Sequence, residues 1–119
     1  MKNNCSICSN TLINVTQVTV EPGIEREYIK FAKRLDELLK EKYCDFYICS
    51  QVNQVIANPT CFYVTSFYKD TCDICKVYAE IEKLINCLYT REFRCTVQRK
   101  TIFSFTNTRT VHPEPDCCF

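Results

Sequence analysis

Tryptophan is missing from the chain, glycine occurs once (Gly23) and histidine once (His112). A lone histidine confines any Cys–His nucleophilic pair to a tail position between Val111 and Pro113, a solvated setting that does not suit catalysis. Charge of one sign is lacking too: the formal net charge is +1, and Lys and Arg are scattered. That balance exerts no long-range pull on nucleic acid or an acidic membrane, and offers no basic groove with interleaved aromatics. No apolar run reaches the length of a membrane span, and no low-complexity stretch is present. The polar start, Met1-Lys2-Asn3-Asn4-Cys5, shows no secretory signal. Met1 is therefore read as an initiator placed before a mature secreted chain.

What is abundant is cysteine. The 119 residues hold eleven: Cys5, Cys8, Cys44, Cys49, Cys61, Cys72, Cys75, Cys87, Cys95, Cys117 and Cys118. Such a density in a short chain points to an oxidising, extracellular compartment and a disulfide-stabilised fold. The odd count leaves one thiol free, or available for a disulfide-linked dimer. The sequons Asn14-Val15-Thr16 and Asn4-Cys5-Ser6 make Asn14 and Asn4 glycosylation candidates and agree with secretion. The length suits one domain: a flexible arm over 1–12 and a single unit over 13–119.

Hydrophobic periodicity sets out the elements. Ile13 to Val20 is β-branched and reads as a strand whose alternation slips between Val15 and Val18, the mark of a bulge or an edge. After Glu21-Pro22-Gly23, an apolar stripe of Ile24, Tyr28, Phe31, Ala32, Leu35, Leu38 and Leu39 predicts a helix, with Lys33, Glu37 and Lys40 on its wet side. From Tyr43 to Val55 the period is two, with Tyr43, Tyr47 and Cys49 on one face. Ala57-Asn58-Pro59-Thr60 is a turn signal, and Cys61 to Tyr68 a second strand with Phe62 and Val64 opposite Tyr63 and Phe67. These two strands form a hairpin, in which Cys49 and Cys61 stand at roughly matched distances from the turn and could bridge. Thr71 to Tyr89 again has helical spacing; Phe93, Cys95 and Val97 resume alternation, and Ile102, Phe103 and Phe105 mark a last strand. Two architectures fit: a ferredoxin-like βαββαβ sandwich with two equal helices, or one long helix packed on an antiparallel sheet, with residues 69–91 inserted between strands.

The hairpin favours the second. Gln54-Val55-Ile56-Ala57-Asn58 resembles the first-loop motif of the cystatins, Gln-Val-Val-Ala-Gly, and Phe62-Tyr63-Val64 resembles the strand after it. Cys72, Asn86-Cys87, Phe93-Arg94-Cys95 and Cys117 resemble the disulfide cysteines of secreted cystatins in order and spacing. The resemblance, over about residues 13–117, implies an α+β cystatin-like fold, bridges among Cys72, Cys87, Cys95 and Cys117, and competitive inhibition of a papain-like cysteine protease by a wedge. Gln54, Val55, Ile56, Ala57 and Asn58 would be its central loop, and His112-Pro113 the nearest feature to its second. The arm glycine and the Pro-Trp of that second loop have no counterpart. The alternative is a cystatin-fold binding protein, of a reproductive or host-defence type, that has lost inhibition.

No enzymatic activity, cofactor or metal is expected on this reading. Two rival chemistries rest on the Cys-x-x-Cys pairs. Cys72-Asp73-Ile74-Cys75 opens a predicted helix, the setting of a thiol–disulfide oxidoreductase. Cys5 and Cys8 with Cys72 and Cys75 have a zinc-like pattern, although no glycine follows either pair. A further conflict lies in the second helix. If unbroken, it separates Cys72 from Cys87 by about 22 Å, far beyond the reach of a disulfide.

Overall fold

A computed structural model describes residues 11–71 and 73–107. Its elements run β1 (Thr11–Val20), α1 (Glu25–Lys42), β2 (Tyr47–Val55), β3 (Asn58–Lys69), α2 (Ile74–Phe93) and β4 (Val97–Asn107). The strands form one sheet in the order β2-β3-β1-β4, every neighbouring pair antiparallel. This is the βαββαβ arrangement, with two helices of 18 and 20 residues on a four-stranded layer. The single-helix, cystatin-like architecture is thereby overturned. Residues 69–91 are no insertion: they hold most of a second helix, equal in rank to the first.

The alternation of each strand explains the layering. Val18 and Val20 on β1, Phe62 and Tyr68 on β3, Tyr47 on β2 and Val97 on β4 face the helices and join one core. From α1 come Tyr28, Phe31, Ala32 and Leu39, and from α2 come Ile74, Ile81, Ile85, Tyr89 and Phe93. The opposite, outer face carries a smaller cluster of Ile13, Cys49 and Phe67. Phe67 and Tyr68 are 5% and 0% exposed, so of the aromatics on β3 only Tyr63, at 38%, reaches solvent.

Backbone details follow from particular residues. The sole glycine, Gly23, lies at φ 101 in the turn before α1, a conformation a side chain would resist. Its N–H bonds the Glu25 carboxylate at 2.9 Å. Glu25 and Glu27 in the first turn of α1, and Lys40 and Lys42 in the last, oppose the helix dipole favourably. α2 ends at Arg94, whose φ of 55 stops the helix.

Two bulges change which side chains share a face. Between β1 and β4, Val15 pairs with Phe103 and Thr16 with Thr101, so Ile102 is the extra residue. The irregularity expected near Val15 is therefore real, but β4 carries it, and β1 is central rather than an edge. Between β2 and β3, Tyr47 pairs with Tyr68 and Cys49 with Phe67, leaving Ile48 extra. Tyr47 consequently faces the helices while Cys49 faces away, against the single face predicted for both. The hairpin turns on Ile56 and Ala57, with Asn58 and Pro59 already in β3.

The core leans on aromatic packing. Phe62, 0% exposed, packs its ring at a tilt 4.9 Å from that of Tyr28. Replacing Phe62 with Ala is expected to cost about 3–5 kcal/mol of stability through lost burial and a cavity. Urea denaturation followed by circular dichroism measures it, and a loss under about 1 kcal/mol would refute the packing described.

Candidate functional site

Polar side chains run through the helix-facing side of the sheet, where an apolar core is the default. They ring a chamber of about 30 Å3, room for one or two waters. Thr16 lines it from β1, Tyr28 and Asp36 from α1, Tyr47 and Ser50 from β2, Ser66 from β3, Glu82 and Tyr89 from α2, and Arg99 from β4.

One side of the chamber is a latch between α1 and the edge strand β2. Asp36 Oδ1 accepts the Tyr47 hydroxyl at 2.5 Å and the Ser50 backbone N–H at 3.0 Å. Asp36 Oδ2 pairs with Lys40 at 3.0 Å, one helical turn on. The Ser50 hydroxyl lies 2.6 Å from that of Tyr47 and 2.8 Å from that of Ser66.

The other side is a charged pair between α2 and β4. Arg99 Nη2 lies 3.5 Å from Glu82 Oε1, both side chains largely buried. Arg99 Nη1 also donates to Asn86 Oδ1 at 2.6 Å, and the guanidinium stacks over the Tyr89 ring at 4.9 Å. The Tyr89 hydroxyl is 2.8 Å from that of Tyr28, which joins α2 to α1. Among the described residues, Glu82 Oε2 and the Tyr68 hydroxyl are buried without a well-formed hydrogen bond, with the Tyr78 hydroxyl near the first and Ser66 near the second. Each such atom costs about 1–3 kcal/mol unless a bound molecule satisfies it.

Burial dominates the electrostatics. It pushes Tyr28, Tyr47, Tyr68 and Tyr89 above the ordinary phenol range. Desolvation, reinforced by the Glu82 carboxylate, pushes Tyr78 up to about 12.

The sequence-predicted site residues lie elsewhere. Gln54, Val55, Ile56, Ala57 and Asn58 occupy the tip of the β2–β3 hairpin, where Ile56 is 99% exposed and Gln54 bonds the Pro59 carbonyl at 2.7 Å. That tip continues two strands of the sheet instead of wrapping a single helix, so the wedge built on it has no scaffold. His112, Pro113, Cys117, Asn4 and Cys72 lie outside the described residues. Asn14 is 2% exposed, bonded to Thr16 and Ser104, and leaves no space for a glycan.

The bridges implied by the resemblance fare likewise. Cys61, Cys87 and Cys95 are free thiols, as are Cys44 and Cys75. Cys49 pairs in register with Phe67 and Cys61 with Thr19, so the two cannot bridge. Cys49 is disulfide-bonded. Cys87 sits within the unbroken helix α2. Among the described residues no cluster of three or more ligands could hold a metal.

The chamber residues went unnoticed in the sequence. One signal was present: Arg99 has the parity of Val97 on β4, and Glu82 neighbours the buried Ile81 on α2. A charge of each sign therefore fell beside apolar positions.

Comparison with known proteins supports the architecture. The fold is ferredoxin-like. A candidate antibiotic biosynthesis monooxygenase from Nitrosomonas europaea superposes with a TM-score of 0.65 at 12% identity, over 85% of this chain and 93% of that one. A dimeric ferredoxin-like protein from an uncultured marine organism gives 0.63 at 16% identity, over 85% and 98%. These likenesses speak for the fold alone, and they replace the cystatin resemblance. No family model and no curated protein matches the chain.

The buried tyrosines set an alkaline limit on this ferredoxin-like core. Their pKa values are higher folded than unfolded, so above about pH 10 the unfolded chain loses protons that the folded one keeps. Stability is thus full below the unfolded value and falls as pH rises towards the folded ones. Tyrosinate absorbance and circular dichroism, recorded together during an alkaline titration, should show these residues ionising as the fold melts. Ionisation of all tyrosines near pH 10 with the fold intact would contradict their burial.

Proposed function

We propose that the protein is a monooxygenase-type enzyme that oxidises a small organic molecule with dioxygen at the chamber between the helices and the sheet. The observation that carries this reading is the Glu82 carboxylate, largely buried, paired through Oε1 with Arg99 and close to the Tyr78 hydroxyl. A carboxylate oxygen in that position is suited to accept a proton from a substrate with an acidic C–H or O–H. Arg99 and the surrounding tyrosines stabilise the anion so formed. The fold shared with a candidate monooxygenase supports the same reading. It replaces the expectation of a protein without enzymatic activity, and the protease inhibitor and its binding-only variant lapse with the cystatin fold.

The chemistry balances without a further reductant when the substrate carries an activated methylene. Glu82 takes a methylene proton, one atom of dioxygen becomes a carbonyl oxygen on that carbon, and the other leaves as water. The carbon loses the four electrons that dioxygen gains. A chamber of about 30 Å3 admits the reacting end of such a molecule and not its whole body.

Oxygen uptake with 1,3-indanedione and related activated-methylene compounds tests the reading. Uptake should exceed the protein-free rate, and Glu82→Gln should lower it by about a hundredfold or more. Absence of uptake across the panel, or an unchanged rate in E82Q, would sink the proposal.

A second copy of the chain fits the outer face of the sheet, where Tyr63 and Ile102 are 38% and 40% exposed. One structural neighbour is described as dimeric. Light scattering after size exclusion should give twice the 14.0 kDa chain mass under reducing conditions, and Tyr63→Lys should shift it towards the monomer. A wild-type monomer at micromolar concentration would exclude the dimer.

A further inference from the structure

A recess of about 230 Å3 lies on the outside of the seam between α1 and β2. Ala32, Asp36, Ser50 and Val52 line both this recess and the inner chamber. The two spaces thus share a wall, in which Asp36 and Ser50 belong to the latch with Tyr47. Apolar atoms of Ile29, Ala32 and Val52 form the walls of the recess, and Ile29 stays 42% exposed.

The recess has two charged residues with different standing. Asp36 is already satisfied, by the Tyr47 hydroxyl, the Ser50 N–H and the Lys40 ammonium. Lys33 lines the recess yet takes part in none of the ion pairs or side-chain hydrogen bonds among the described residues. An apolar cleft with one unpaired cation at its rim complements a molecule with an apolar body and one anionic group. The volume limits that body to about the size of a bicyclic ring system, since drug-sized pockets begin near 300 Å3.

We infer that this recess is the substrate-body site: it takes a small, flat organic anion, a carboxylate or its equivalent, whose charged group rests on Lys33 and whose other end points through the α1–β2 seam at the chamber. This deepens the proposed oxygenase reading by naming its substrate class and entry, and it rests on that reading for the meaning of the inner end. The binding claim itself stands on the recess alone.

The probes are 1-naphthoate and its uncharged counterpart, 1-naphthamide, neither of which has a methylene to oxidise. Binding is read from naphthyl fluorescence and from the methyl resonances of Ala32 and Val52. 1-Naphthoate should bind saturably and shift both methyl groups. Lys33→Gln should weaken it by about fivefold, the scale of a partly exposed ion pair. Lys33→Arg should restore binding, while the amide binds wild type and K33Q alike. Because Lys33 is on the exposed face of α1, these variants leave the core intact, which circular dichroism checks. Absence of 1-naphthoate binding, equal affinity in K33Q, or shifts confined to other methyl groups would each overturn the inference. Failure here with oxygen uptake preserved removes the anion site alone. Binding here without oxygen uptake removes the oxygenase reading and keeps the site.

Discussion

The structure is organised around the ring and hydroxyl of Tyr28. The side chain is fully buried on α1. Its ring meets Phe62 of β3 at 4.9 Å and Phe93 of α2 at 6.1 Å, and its hydroxyl meets that of Tyr89 on α2. One residue thus ties both helices to a central strand. Its aromatic surface contributes burial, and its polar atom finds a partner where water is excluded. The T-shaped contacts of Phe31 with Tyr89 and Phe93 extend the same helix–helix seam. A tyrosine-rich seam brings hydroxyl groups into the core along with rings, so the interior beside it is polar without being open.

That partial polarity is what makes a site available. Around Tyr28 and Tyr89 the sheet contributes Arg99, Ser50, Ser66 and Thr16, and the helices contribute Glu82 and Asp36. Most of these groups satisfy one another, while Glu82 Oε2 is buried without a well-formed hydrogen bond among the described residues. A core closed for stability alone would place apolar side chains there, because replacing a buried ion pair with hydrophobic residues is often stabilising. The Arg99–Glu82 pair is held by Asn86 and the Tyr89 ring, which fixes its direction into the chamber. The latch on the far side joins α1 to β2, an edge strand with neighbours on one side only. The two ends of the chamber therefore differ: one is locked between long elements, and the other lies at the margin of the sheet.

Cysteine content and tertiary structure tell different stories. The number of cysteines suggests a framework stapled by bridges. Among the described residues five cysteines are free thiols and Cys49 alone is disulfide-bonded, and aromatic and aliphatic packing joins the helices to the sheet. Cys61 illustrates the point: it is buried on the outer face, where the Gln17 amide approaches its sulfur at 3.5 Å, and it behaves there as a small apolar residue.

Local pattern by itself determined the elements. The 3.6-residue recurrence from Ile24 to Leu39 and from Ile74 to Leu88, and the alternation of Phe62 and Val64 with Tyr63 and Phe67, are properties of consecutive side chains and survive in any fold. The hairpin turn is local too, and its short loop was visible to within two residues. Only tertiary structure decided that the second helix lies beside the first, that β1 is central, and that Tyr47 and Cys49 part company across the Ile48 bulge. The loop resemblance at Gln54 to Asn58 misled because an exposed hairpin tip of that composition suits many sheets. The site itself joins residues from six elements, from Thr16 to Arg99. Its members are far apart in the chain, and their proximity follows from strand order and register, which periodicity along a single segment does not encode.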